Sequence, residues 1–553
     1  MKLKTTILII ASSLLMLAQV IKAEPILSGY LRGAFLQAGK IDNLHLQNVN
    51  DLIYFKAEPF ANGDLYFEYP DNTAVASNVK LLKRFRKHKD GILQFNGDGA
   101  KLTAGKDLLL NGPGKGVKQF SFETWIYISD WQENAFIFNK SNDDSHKVSL
   151  QLGSKDKQNL LFQVVNGNKS LTLSTSSFKT RKWQHLALSY DANKPIAEQV
   201  KIYVNSKYIS KQTIIDDTLQ PPTSVPAMSN LFVIGENFDG KLDEIRLWHS
   251  VRSPWQIAKN MKQEIFVDTW DETKLKAYWK IKPSSRFVLD YQSWKADIAT
   301  IKYFIKGHGQ KAVRLGVGKG QWREMISNQA ARVNFANNLK RVLLENNIDG
   351  VEFDFEWCEN NDVACWDDYS KTIKTVTDIL PEQLIVSASL HPIFYKIDKS
   401  AIKALDFVSI QAYGPRPVRF PYKEFTDNVS SMLEYGFPAE KLVMGVPFYA
   451  VKTDGEKLNN KFVTLGYQEL FKQHREIDPL VDQISMVHPK LGKTNFTYNG
   501  QTTLIKKSQY VLDNKLRGVM IWSLGTDTDY KNPTSLLKAI NEVIPGNTPF
   551  NTN

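Results

Sequence analysis

The stretch Asp349-Gly-Val-Glu-Phe-Asp-Phe-Glu-Trp357 constrains the fold of this 553-residue chain more than any other. Its period-two alternation makes it a strand, in which successive side chains face opposite sides. Glu352, Asp354 and Glu356 therefore line one face at a repeat of roughly 6.6 Å, while Val351, Phe353 and Phe355 line the other. Three like charges in a row on a buried face cost on the order of several kcal/mol in desolvation and repulsion, which a purely structural strand has no reason to bear. The alternative is a solvated edge strand with only its apolar face covered. The flanking chain argues against it, because amphipathic helices are predicted on both sides, at 331–346 and 366–380.

After about Ser285 the same rhythm repeats, apolar strands alternating with amphipathic helices. Strands are predicted at Val313–Val317, Gly350–Phe355, Leu384–Leu390, Phe407–Ala412, Leu442–Pro447 and Val519–Leu524, with a further helix at Lys506–Lys515. Repeated βα units imply a parallel sheet with crossover helices. A closed eight-stranded barrel needs two more strands, and Ile26–Leu31 and Leu52–Phe55 supply them. Between these two groups, from about Leu81 to Lys282, short alternating segments bounded by Asn, Gly and Asp read as an antiparallel β-sandwich. The expected architecture is α/β, a (β/α)8 TIM barrel interrupted after its second strand by an all-β sandwich. Its parts are barrel over 24–80 and 283–545, sandwich over 81–282 and a frayed tail over 546–553. Such an insertion works when the inserted domain's ends lie close together. Trp125, Trp131 and Trp248 fall at strand positions where packing into the sandwich is expected.

The chain opens on Met1-Lys2-Leu3-Lys4, an apolar run from Ile7 to Ile21, and Lys22-Ala23 before Glu24. That is the pattern of a secretory signal cleaved after Ala23, and the run is short for a bilayer span. No later segment is long and apolar enough to cross a membrane, so an extracellular or periplasmic protein is expected. In that setting the two cysteines, Cys358 and Cys365, are expected to form a disulfide. No thiol or imidazole cluster accompanies them, so no metal site is expected. The net charge of +12 is spread along the chain, without the basic stripe of a nucleic-acid footprint.

In a barrel the C-terminal strand ends open onto the active site, so Glu356 would stand at the mouth and Asp354 one pleat deeper. Repulsion between neighbouring carboxylates raises a pKa within the set, and a protonated Glu at the mouth is what glycosidic cleavage asks of its general acid. At this point the sequence resembles glycoside hydrolase family 18, whose strand-four signature is Asp-Gly-x-Asp-x-Asp-x-Glu. Asp349, Gly350, Asp354 and Glu356 match it, and Glu352 stands where the family has Asp. Ile26-Leu-Ser-Gly-Tyr30 and Leu52-Ile-Tyr-Phe55 resemble the first two strands, Gln411-Ala-Tyr413 the sixth and Leu442-Val-Met-Gly-Val-Pro-Phe-Tyr449 the seventh. Gly518-Val-Met-Ile-Trp-Ser523 resembles the eighth, while the third-strand Ser-x-Gly-Gly is degraded to Gly316-Val-Gly-Lys319. In the sandwich, Trp183–Tyr190, Lys201–Lys207 and Phe238–Trp248 resemble a laminin-G-like, concanavalin-type jelly roll.

The resemblance implies a catalytic set of Glu356, Asp354, Glu352 and Tyr413, with Tyr30, Phe55, Gln411 and Trp522 against the substrate. Glu356 would protonate the leaving oxygen, Asp354 would orient the sugar's own attacking acetamido group, Tyr413 would bond that group and Trp522 would floor the sugar. Gln411 either meets the substrate amide or satisfies a buried hydrogen bond, and His391 reads as structural. No phosphate loop, metal motif or Ser-His-Asp set stands out, and no cofactor is expected. The implied function is cleavage of β-1,4-linked N-acetylglucosamine polymers such as chitin. An endo-β-N-acetylglucosaminidase acting on N-glycans, a wall-polymer hydrolase and a catalytically impaired chitin-binding lectin stay open as alternatives.

Overall fold

The computed structural model describes residues 24–36, 41–68, 74–82, 91–175, 178–209, 212–214, 220–263, 274–279, 293–473, 477–488 and 491–550. The expected export signal lies outside them. Eight strands carry the apolar, β-branched runs that a sheet covered on both faces requires. They are β1 (Ile26–Arg32), β2 (Asp51–Pro59), β3 (Ala312–Gly318), β4 (Gly350–Asp354), β5 (Ile385–Leu390), β6 (Phe407–Ile410), β7 (Leu442–Pro447) and β8 (Gly518–Trp522). Each pairs in parallel with the next, and β8 returns to β1 through Ile26 opposite Gly518, which closes the barrel. Closure leaves no open edge. Helices Gln329–Glu345, Val363–Ile379 and Gln501–Asp513 pack outside, each starting earlier than the sequence pattern suggests. The cause at the first two is visible: Asn328 and Asp362 cap them through Ala331 N and Cys365 N, ahead of the first periodic apolar residue.

β2 runs past its barrel partners and pairs antiparallel with Leu65–Phe67, and the chain then leaves for the sandwich. Two antiparallel sheets form it, enclosing a core of Phe120, Phe122, Phe138, Phe162, Phe232 and Trp279. Val75–Ser77 and Lys80–Leu82 already pair within these sheets, so the chain enters the sandwich earlier than residue 81. Trp131 joins the core, whereas Trp248 is buried on the outer face beneath Arg252, and the half-buried Trp125 donates to Met261 O at 2.7 Å. The chain rejoins the barrel through the helix Trp294–Ile305, whose Trp294 stacks on Phe67 at 4.2 Å.

The sandwich docks beside the barrel mouth. Lys106 pairs with Asp64 at 3.3 Å, Tyr66 Oη donates to Leu110 O at 3.3 Å, and the loop holding Gly112 and Gly114 presses against Glu58 and Gln321. Two features escaped the sequence reading. A four-stranded antiparallel sheet, built from Tyr449–Lys452, Thr464–Gly466, Gln483–His488 and Gly492–Thr497, is inserted between β7 and β8. The expected frayed tail is instead packed as far as Phe550, which is buried with Ile26, Ala312, Ile385, Phe407 and Val443 and donates its N–H to Gln310 O at 2.8 Å. Its aromatic ring, removed from water, plugs the end of the barrel opposite the mouth. No described helix is long and apolar enough to cross a membrane.

Candidate active site

The alternation in β4 holds as read. Val351, Phe353 and Phe355 pack outward, Phe353 and Phe355 against Phe335 of a covering helix, while Glu352 and Asp354 point into the barrel, both buried. β4 ends at Asp354, so Glu356 sits just beyond the strand, where its side chain is exposed to the cleft. Gly350 owes its identity to close approach: a Cβ there would stand 2.2 Å from Ile385 O on β5. Asp349, at the opposite end of the strand, accepts from Val313 N at 2.7 Å and ties β3 to β4 far from the mouth.

Asp354 receives a hydrogen bond from Gln411 Nε2 at 2.8 Å, and the same nitrogen lies 3.1 Å from Ser389 Oγ. Of the two roles open to Gln411, the buried hydrogen bond is the one the structure displays. Burial, then the neighbouring Glu356 and Glu352, push the Asp354 carboxyl well above the usual carboxylate range. Glu356 is raised too, by the partial desolvation of the cleft in which its side chain stands, against the lowering pull of Lys319, Gln411 and Lys56. The two carboxyls therefore form one titrating pair that holds a proton at higher pH than free carboxylates do.

Glu352 lies deeper, in the most heavily bonded place of the site. Tyr30 Oη donates to its Oε1 at 2.6 Å, and its Oε2 accepts from Arg314 Nη1 at 2.9 Å, Ser387 Oγ at 2.8 Å and Ser409 Oγ at 3.2 Å. Arg314 also clasps Asp51 through Nε and Nη2, at 2.8 and 2.6 Å. Neither Arg314 nor Asp51 was singled out from sequence. The signal was present, since an arginine inside the run Val313-Arg-Leu-Gly-Val317 is as conspicuous as a glutamate inside β4.

Above this layer three rings meet edge to face: Tyr30 with Phe55 at 5.6 Å, Tyr30 with Trp522 at 5.2 Å and Phe55 with Trp522 at 5.5 Å. Phe55, midway along β2 where its pairing with β1 stops, and Trp522, at the end of β8, are both half-buried, an apolar platform of the kind sugar rings stack on. Tyr413 is buried beside it, its Oη 3.5 Å from Met520 Sδ, and burial with the nearby Asp354 keeps its phenol protonated. Trp357, half-buried, forms another part of the wall with Phe394 and His391. His391 is pushed down to about 4 by burial and by Arg419 and Arg416, so it stays neutral at working pH. The disulfide Cys358–Cys365, with a Cα–Cα distance of 5.7 Å, clamps the loop that carries Glu356 and Trp357 to the start of the helix Val363–Ile379. Among the described residues no group of three or more His, Cys, Asp or Glu is arranged to hold a metal. The arrangement can place a sugar on aromatic rings with one exposed and one buried carboxyl against it, both able to carry a proton.

Residues 256–527 match the model of glycosyl hydrolases family 18, and residues 96–258 match that of the concanavalin A-like lectin/glucanases superfamily. A probable chitinase 10 of Drosophila melanogaster is 25% identical over 326 residues, 46% of this chain and 14% of the relative. A class V chitinase of Lotus japonicus is 23% identical over 269 residues, 37% of this chain and 64% of the relative. The chain thus spans less than two thirds of either relative's length. A solved family 18 chitinase from Flavobacterium johnsoniae is 23% identical, covering 46% of this chain and 81% of its own, with a TM-score of 0.37.

Proposed function

Because the chain carries a family 18 glycosyl hydrolase domain beside a concanavalin A-like one, we propose that the protein is a secreted glycosidase cleaving β-1,4-linked N-acetylglucosamine polymers, chitin first among them. The observation that carries this is the carboxyl pair: Glu356 exposed at the mouth, Asp354 buried one pleat below, both shifted toward the protonated form. Glu356 protonates the leaving glycosidic oxygen. Asp354, fixed by Gln411, orients the substrate's 2-acetamido group so that its carbonyl oxygen attacks the anomeric carbon, giving retention without an enzyme nucleophile. Tyr413 offers its phenol to that acetamido group, and Phe55 and Trp522 form the platform under the sugar, with the buried Tyr30 ring packed behind them. Water then opens the cyclic intermediate with Glu356, now ionised, acting as base.

The test is hydrolysis of a chromogenic chitotriose glycoside by the mature chain beside Glu356→Gln, with a biantennary N-glycopeptide in parallel. Release from chitotriose that drops about a hundredfold or more in the variant supports the reading. Cleavage of the glycopeptide alone makes the protein an endo-β-N-acetylglucosaminidase. Retained chito-oligosaccharide binding without turnover of either substrate makes it a lectin.

A further inference from the structure

Beneath Asp354 lies a charge cluster to which the steps described above assign no part. Arg314, Asp51 and Glu352 are all completely buried, and the guanidinium bridges the two carboxylates. Four donors converge on Glu352: the Arg314 guanidinium, the Tyr30 phenol and the Ser387 and Ser409 hydroxyls. A hydroxyl can turn and accept instead, but a guanidinium has no acceptor and keeps its charge. A proton on Glu352 would therefore give up a charge-assisted bond in a dry interior.

We propose that Arg314 is a positioning residue that fixes Glu352 as a permanent anion, so that the mobile proton of the site belongs to Asp354 and Glu356 alone. The Glu352 charge, one pleat below Asp354, then favours a proton on Asp354. The upward shift of Asp354, to which Glu352 contributes after burial and Glu356, runs in that direction. The other titratable or charged groups facing these carboxyls are Tyr30 on β1, Asp51 and Lys56 on β2, Lys319 after β3, Tyr413 after β6 and Tyr369 on the helix behind β4, while Asp349, Asp406 and Arg517 bear on Asp51 and Arg314 from the opposite end of the barrel. Lys56 and Lys319 bear on Asp354 and Glu356 from the mouth. Arg314 is the cation bonded to Glu352. Sequence supplies both halves of the device: a Glu one methylene longer than the Asp of the family signature, and an arginine in the third strand, where the family motif is degraded.

Infrared difference spectra of the full chain labelled with [13C]glutamate separate protonated glutamate carboxyls from protonated aspartates. Near about pH 6, the wild-type protein is expected to show no labelled protonated band that Glu352→Gln removes. Arg314→Met is expected to produce such a band, the Arg314→Met/Glu352→Gln pair to lack it, and Arg314→Lys, which keeps the charge, not to produce it. A labelled band present in the wild type and lost in Glu352→Gln overturns the proposal, as does an Arg314→Met protein without one. Should Arg314→Met not fold, the wild-type, Glu352→Gln and Arg314→Lys spectra still decide. A second arm rests on the glycosidase reading. Removing the anion lets Asp354 give up its proton earlier, so Glu352→Gln should lower kcat/KM at least about tenfold more near pH 8 than near pH 5. An equal loss at both values overturns the proposal, and the infrared arm stands whether or not chitotriose is cleaved.

Discussion

Each carboxyl of β4 has a different fate because each meets different neighbours. Asp354 has a folded-state pKa raised above its unfolded value, so its ionisation works against the fold. Stability is intact below the unfolded carboxylate pKa and is lost as pH rises toward the folded one. Asp354→Asn, which keeps an acceptor for Gln411, should therefore abolish activity yet melt progressively higher than wild type as pH goes from about 4 to about 8, as calorimetry would show. Lys319 lowers the pKa of Glu356, so Lys319→Ala should move the basic limb of the pH dependence of kcat/KM upward. The shift should stay under about one pH unit, because the lysine is exposed and screened by salt. Alternation alone located Glu352, Asp354 and Glu356, yet it could not assign their partners. Arg314 bridges Asp51 and Glu352 only after β2, β3 and β4 lie side by side.

At the scale of elements, all eight barrel strands were legible, because buried parallel strands are short unbroken apolar runs between turn signals. The inserted sheet between β7 and β8 was not. Segments such as Gly-Lys-Thr-Asn-Phe-Thr, at Gly492–Thr497, are polar and partly exposed and announce no period. Strand ends also slipped: β2 extends to Pro59 because Leu65–Phe67 supplies a partner that only the fold reveals. The loop after β4 depends on covalent help. Cys358 and Cys365 close a short ring, and Arg323 donates to Trp357 O on its flank. Loss of the bridge in Cys358→Ala/Cys365→Ala should cost about 2.5 kcal/mol in urea unfolding by the chain-entropy relation. It should also raise KM by loosening Trp357, an effect absent from a surface control such as Lys403→Ala.

At the scale of the molecule, the two ends of the barrel are finished differently, one open onto the rings and carboxyls, the other sealed by the tail. Sequence gave no hint of the seal, because Pro545-Gly-Asn-Thr-Pro-Phe550 is rich in turn formers and its single aromatic finds its pocket only once five strands have converged. Phe550→Ala should lower stability by about 3 kcal/mol, measured by denaturant titration, while leaving the affinity for chito-oligosaccharides unchanged. β2 and β3 are sheet neighbours, yet the whole sandwich is threaded between them. During synthesis, β1 and β2 are made first and then wait, with no third barrel strand, until the sandwich has left the ribosome. If the sandwich folds first, its docked ends turn a very long ring closure into a short one, and the entropy of joining β2 to β3 falls accordingly. On that order the inserted domain would act as a splint across the junction between β2 and β3.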